Sequence, residues 1–200
     1  MLEENSSTEV SDCGEEGAPK FDDERDLILA RLLYAHETYF NVVRNYEYAD
    51  RMFPGYAEFH SHGEKYVLVK RAKLWEVDSH EYIFFDCKDQ LSEKDLAAEL
   101  EFMKNKGIEK VVPEPNHMSS FISLVLVVNS VETGLEKQIA KARFHKEFKY
   151  GIQGWADLRL VVVDLSERVV LTNAAGKEMK ASVEANAGFE RSKKSFFTRR

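Results

Sequence analysis

Leu158 to Leu165 is nearly continuous apolar and β-branched, with Arg159 and Asp164 its only charges. A run of that length and composition reads as a strand buried on both faces. It lies inside the stretch Arg143 to Asn173, which joins two strand signals through Gly151-Ile152-Gln153-Gly154-Trp155. The two glycines suit a turn or bulge between antiparallel strands. They do not make a dinucleotide fingerprint or a P-loop, because G-x-G-x-x-G is absent and no helix follows. After Leu165, Ser166-Glu167 turns the chain into Arg168–Thr172, a hairpin by length.

The rest of the chain supplies partners for that strand. Asp22, Asp23 and Glu24 crowd the first turn of an expected helix over 22–39, where negative charge suits the macrodipole. Leu27, Ile28, Ala30 and Tyr34 recur at helical spacing, with Leu29, Leu32 and Leu33 widening the stripe. Asn41 to Asp50 fits a short strand or a loop, and Phe53-Pro54-Gly55 is a turn signal. Tyr56–His60 alternates, Ser61–Glu64 reads as a hairpin turn, Lys65–Val77 as a long strand and Asp78–His80 as a second turn into Glu81–Cys87. That order is an antiparallel meander. Ser92 with Asp95 approximates a capping box opening a helix over 92–106, and Gly107 stops it. Phe121–Asn129 is a second buried strand and Glu132–Ala142 a short helix. Asn173–Gly176 ends the ordered pattern.

Charge divides the chain into three parts. Residues 1–24 carry −8 and residues 191–200 carry +5, leaving −4 on the residues between. This predicts an acidic disordered tail over 1–20, one domain over 21–180 and a basic flexible tail over 181–200. With 44% apolar and 32% charged residues the middle can bury a core, so global disorder is excluded. A uniformly basic nucleic-acid-binding domain is excluded too, since phosphate affinity needs clustered Lys and Arg. The tail Arg191–Arg200, RSKKSFFTRR, has the composition to contact an anionic partner. Docking of that tail on the acidic leader is a further expectation.

Cys13 and Cys87 are the two cysteines, and no paired-Cys zinc spacing exists. Two free thiols fit a reducing compartment. No apolar run approaches the roughly 20 residues that span a bilayer, and the acidic N-terminus lacks a signal-peptide core. A cytoplasmic protein is expected.

Residues that could carry chemistry are few. Trp155, Asp157 and Arg159 alternate along one face at the mouth of the central strand and are named as binding residues. His117 joins them, in a Pro-bounded loop at a strand entrance. Ser119 and Ser120 beside it lack a G-x-S-x-G elbow. Glu58, His60 and His62 would share one strand face, three potential metal ligands in a row. His62, however, adjoins Gly63 in the expected turn, and a solvated hairpin end explains these residues without a metal. No metal or other cofactor is expected. The helix, meander, helix and strand also follow the order of restriction-endonuclease-like folds. Such a site needs an Asp and a Glu/Asp-x-Lys around Mg²⁺. Glu76-Val77-Asp78 lacks the Lys, so Glu58 with Lys70 or Lys73 would have to serve.

The segments Tyr150–Leu165 and Val169–Glu178, with Lys73-Leu-Trp-Glu and His117-Met-Ser-Ser upstream, resemble a bacterial family built on a domain of unknown function. The resemblance covers residues 23–180, implies a bacterial cytosolic single-domain protein and brings no activity with it. The expected fold is α+β: a mostly antiparallel, possibly mixed, sheet with helices packed on one face. The expected function is a non-enzymatic binding or regulatory module, with a metal-dependent hydrolase or nuclease built on the 56–87 carboxylates as the alternative.

Overall fold

A computed structural model of the chain describes residues 23–66 and 73–189, with side chains described outside 62–78. Its elements are α1 (Glu24–His36), β1 (Asn41–Tyr48), β2 (Arg51–Tyr66), β3 (Lys73–Leu91), α2 (Glu93–Asn105), a 3₁₀ turn (Gly107–Lys110) and β4 (His117–Val131). After these come α3 (Glu136–Lys141), β5 (His145–Glu147), β6 (Trp155–Asp164), β7 (Val169–Thr172) and α4 (Lys177–Ala187). The seven strands form one sheet in the order β1-β2-β3-β4-β6-β5, with β7 also paired to β6.

The sheet is mixed. β3, β4 and β6 run parallel at its centre, and the other pairings are antiparallel. The apolar run in β6 is the buried central strand its composition predicts, and β4 is its neighbour. The α3 segment provides the crossover that a parallel pair requires.

Helices cover both faces of the sheet, not one. Alternation along the strands sends Ile122, Leu124 and Leu126 of β4 to the side of α2 and α3, with Leu96, Met103 and Ile139. Val125 and Val127 face the other way, onto Ile28, Leu32 and Leu33 of α1 and Val183 of α4. The two central strands demand this two-sided cover, since Leu124–Val128 of β4 and Leu160–Val163 of β6 are apolar on both faces. α1 approaches closely because Gly55 has no side chain: a Cβ there would lie 2.5 Å from a Leu33 methyl. The Pro54-Gly55 pair is therefore strand interior and helix seat, where a turn was expected. The actual turn is at Ala49-Asp50, both left-handed.

Two other turns move as well. Ser61–Glu64 lies within β2 and Asp78–His80 within β3, whose register runs from Gly55↔Phe85 to Lys65↔Trp75. The meander over 56–87 is thus one long hairpin. The tail expected from 181 begins later, because residues 181–187 are the last turns of α4 and Gly188 caps it in a left-handed conformation. The leader 1–20 and the basic segment 191–200 lie outside the described residues.

Several polar groups serve the fold. Ser92 and Asp95 close the capping box of α2. Arg51 pairs with Asp86 and Glu99, Lys88 also reaches Glu99, and the guanidinium lies over Phe53 and Phe102. Burial works against the Arg51 charge, but the bonds and charges of Glu99 and Asp86 outweigh it and raise the pKa. The Asn173 amide is saturated. Its oxygen accepts from the Leu160 and Gly176 amides and its nitrogen donates to the Ala142 and Leu158 carbonyls. Among the described residues no helix is long and apolar enough to cross a membrane.

Candidate functional site

One end of the α2 face gathers polar and aromatic groups that the core does not require. The β2–β3 register sets Glu58 opposite Tyr82 and His60 opposite His80. Even-numbered residues of both strands share this face, so Tyr56, Glu58 and His60 line up beside His80 and Tyr82. Lys110, from the 3₁₀ turn, reaches back over them. Its ammonium is 4.8 Å from the Tyr56 ring centre, within 6 Å of those of Tyr46, Tyr48 and Tyr82, and donates to the Tyr46 hydroxyl at 3.1 Å. Such packing holds the charge by cation–π attraction. The Tyr56 hydroxyl donates to Glu58 at 2.8 Å. Burial, then that bond and the carboxylate charge, raise its pKa far above the usual value.

A cleft of about 330 Å³ opens here, lined by Glu58, His60, His80, Tyr82, Lys110 and the connection at Val112 and Glu114. The His60 and His80 rings meet Nδ1 to Nδ1 at 2.9 Å, and His60 Nε2 is 4.0 Å from Glu58. Tyr82 is almost wholly buried, and its hydroxyl pKa is pushed up to about 12, first by burial and then by Glu58. It makes no hydrogen bond among the described residues.

His117 adjoins this cluster. A register shift between Asp78 and Ser79 brings the start of β4 alongside His80, and the His117 and His80 rings stack with centroids 5.8 Å apart. His117 Nδ1 donates to the Gln153 carbonyl at 2.7 Å, which leaves Nε2 to accept from Ser120 Oγ at 2.8 Å. The pair has the connectivity of an activated serine, but Ser120 is fully buried and His117 nearly so. It ties the Gly151–Gly154 turn to β4 and offers no surface to a substrate.

The other residues named from sequence lie on the opposite face of the sheet. Arg159 is buried, pairs with Glu81 at 2.9 Å and Glu178 at 3.1 Å, and stacks 3.4 Å above Phe121. Trp155 packs edge-on against the same Phe121. Asp157 accepts from His145 at 2.6 Å beside a second cleft of about 350 Å³ that Arg143 and Ala174 also line. His117 therefore stands apart from the Trp155–Asp157–Arg159 row, with the sheet between them.

The meander carboxylates are spread along the hairpin. Glu58 pairs with Tyr82, Asp78 with His62 and Glu76 with Glu64. At about 3.4 Å per residue, Glu76 lies roughly 20 Å and Asp78 roughly 13 Å along the ribbon from Glu58. Glu58 and Glu76 cannot share an ion at that spacing. Lys70 lies outside the described residues, and the side chains of Lys73, Glu76 and Asp78 are not described.

His60, His80 and Lys110 carry the cleft, and of the three only His60 stands out in the sequence. With turns placed at 61–64 and 78–80, His60 and His80 belong to separate hairpin ends. The available signal was the matched polar spacing, Glu58-x-His60-x-His62 against Asp78-x-His80-x-Tyr82, read as one antiparallel ladder.

The profile of a family described as domain of unknown function (DUF8052) matches residues 24–185. No curated protein and no solved structure matches the chain.

Proposed function

The chain belongs to the DUF8052 family, which names no activity, and from that premise we propose that it is a non-enzymatic binding module. Its ligand site is the cleft between the β2–β3 hairpin and the connection leading into β4. The observation that carries this reading is the Tyr82 hydroxyl, without a hydrogen bond among the described residues, on a buried ring facing a cleft shared with Lys110, Glu58 and the paired imidazoles. Three polar groups nearby or in the core are by contrast engaged: Asn173 in four backbone bonds, Ser120 with His117, and Arg51 with two carboxylates. A compact polar ligand with an anionic group fits, met by the Lys110 ammonium and the imidazoles, with Tyr82 as donor.

Thermal unfolding of the full chain against a panel of small carboxylates and phosphate esters tests this. A ligand at about 100 times its Kd raises Tm by roughly 5 °C or more for a domain of this size. Tyr82→Phe and Lys110→Met are expected to reduce that shift. An equal shift in both variants places the ligand elsewhere.

A bacterial, cytosolic setting accompanies the proposal. The family resemblance supports the first. Cys87 supports the second, as a free thiol whose pKa burial pushes up to about 12. The contact of Arg191–Arg200 with an anionic partner belongs to the same reading. Removing residues 191–200 is then expected to weaken association with an anionic partner at low salt; an unchanged salt profile rules the contact out.

A further inference from the structure

The opposite face of the sheet holds a polar feature that neither the core nor the β2–β3 cleft explains. The register sets Ile83, Ser123 and Arg159 in one row across β3, β4 and β6. Ser123 is short and fully buried, so the row dips at β4, and the Arg159 side chain crosses it to reach Glu81 on β3. Above the dip a cleft of about 220 Å³ remains between the end of α1 and the first turns of α4. Arg159, Glu81 and Glu178 are its charged lining, and Phe40, Ile83, Met179 and Val183 its apolar lining.

Arg159 is a buried cation with donors to spare. Its side chain is 9% exposed and lies 3.4 Å over the Phe121 ring. One terminal nitrogen donates to Glu81 at 2.9 Å, and Ser123 donates to the same carboxylate oxygen at 3.3 Å. The other donates to Glu178 at 3.1 Å. Nε is buried without a hydrogen-bond partner among the described residues. A guanidinium carries five N–H donors in a rigid fork, so two bonds leave it under-used.

Its two carboxylate partners are unequal. Glu81 is 19% exposed, whereas Glu178, in the first turn of α4, is 81% exposed. A pair with so exposed a partner contributes little, because water screens it and a long side chain must be held in one rotamer. Glu178 is thus a weak latch over a buried charge. A carboxylate entering by the cleft takes over that bond beneath Phe40 and Met179. Charge-assisted bonds strengthen where water is excluded.

Charge and size narrow the occupant. Arg159 and Glu81 together are neutral, so release of Glu178 leaves room for one negative charge, and a dianion would meet Glu81. The apolar wall favours a hydrocarbon tail. His36 adds to that wall: its Nδ1–H donates to the Leu32 carbonyl at 2.7 Å, and its ring packs edge-on against Phe40. Drug-sized ligands occupy roughly 300–1,000 Å³, so the tail is short.

We propose that the cleft between α1 and α4 binds a small monocarboxylate with a short apolar tail, its carboxylate replacing Glu178 on Arg159. The tail lies along Phe40, Ile83, Met179 and Val183, and Glu178 turns out into solvent. This site is independent of the β2–β3 cleft, which lies across the sheet.

The test is calorimetric titration of the full chain with hexanoate, beside acetate, hexanol and hexylamine. Saturable binding of one hexanoate is expected, with acetate at least about tenfold weaker for want of the tail and no binding of the alcohol or the amine. Glu178→Ala removes the competing carboxylate and should tighten hexanoate about two- to fivefold, a gain that a merely structural role for the residue does not give. Arg159→Lys keeps a cation beside Glu81 but loses the fork, and should weaken binding about tenfold or more, with circular dichroism confirming the fold. No saturable hexanoate binding in wild type or Glu178→Ala overturns the site, as does weaker binding in Glu178→Ala. Hexanoate binding lost in Tyr82→Phe but kept in Arg159→Lys belongs to the β2–β3 cleft and overturns the site equally.

Discussion

The Asn173 side-chain oxygen accepts a hydrogen bond from the Leu160 amide at 3.0 Å, fixing the end of β7 against the centre of β6. The same oxygen accepts from Gly176 ahead of α4, and the nitrogen donates to the carbonyls of Ala142 and Leu158. One side chain satisfies four buried backbone groups from three segments. Asn173→Ala strands all four. At 1–3 kcal/mol for each unsatisfied group, with some relaxation, a loss of about 3 kcal/mol or more is expected in urea unfolding. Asn173→Asp should do as badly, since a carboxylate cannot donate to the two carbonyls. An aspartate variant of wild-type stability contradicts the assignment.

Asn173 also marks where sequence legibility ends. The runs in β4 and β6 announce themselves through unbroken apolar stretches, Leu124–Val128 and Leu160–Val163, and α2 announces itself through Ser92 and Asp95. α4 does not. Only Val183 and Ala187 are buried along its eleven residues, and no side chain caps Gly176, so its composition reads as a tail. The long hairpin is hidden in the sequence because Gly63 and Asp78-Ser79-His80 have turn chemistry, while their extended conformation is imposed by pairing across β2 and β3. The candidate site is illegible for a related reason. The Lys110 cage draws rings from β1, β2 and β3 onto one ammonium, and only a known register brings them together. Cover on both faces follows from β4, whose Leu124 and Leu126 pack on one side and Val125 and Val127 on the other, although helices on one face are what the sequence suggests.

Two glycines in the turn before β6 should behave differently. Gly154 has φ of 73°, and a Cβ there would fall 2.3 Å from the Met118 carbonyl oxygen and 2.8 Å from His117 Nδ1. Gly151 has φ of 81° with open space around it. Gly151→Ala should therefore cost only the backbone strain, about 1 kcal/mol. Gly154→Ala adds a clash with backbone and should cost about 3 kcal/mol. It should also shift the NMR signals of His117. Equal effects at the two positions contradict the close approach of the turn to β4.

Glu99 tests the buried charge cluster. Its side chain is 3% exposed and faces Arg51 and Lys88, with Asp86 the second carboxylate. Glu99→Gln leaves two cations against one anion in a desolvated site. Breaking a buried pair from one side costs about 3–5 kcal/mol, and a value near 3 is expected because Asp86 remains. Arg51→Met with Glu99→Leu should recover part of that loss, since a matched apolar pair removes both desolvated charges. A double variant less stable than Glu99→Gln alone assigns the cluster a packing role that methionine and leucine cannot fill.

His145 and Asp157 give the chain a pH dependence whose sign is fixed. The hydrogen bond from His145 to Asp157 is the largest influence on the imidazole, and the charges of Asp157 and Glu147 add to it against slight desolvation. The folded pKa is therefore above the unfolded value of about 6.5. A histidine raised in this way contributes stability fully below the unfolded pKa, and the contribution is lost as pH rises through the folded pKa. The pair is exposed, so the effect is modest and falls with added salt. Asp157→Asn should bring the His145 NMR midpoint down towards about 6.5. The Tm difference between wild type and this variant should be larger near about pH 5.5, where His145 is charged, than near about pH 8.5. A midpoint that does not move in Asp157→Asn, or a Tm difference that grows on the alkaline side, contradicts the ion pair as the source of the shift.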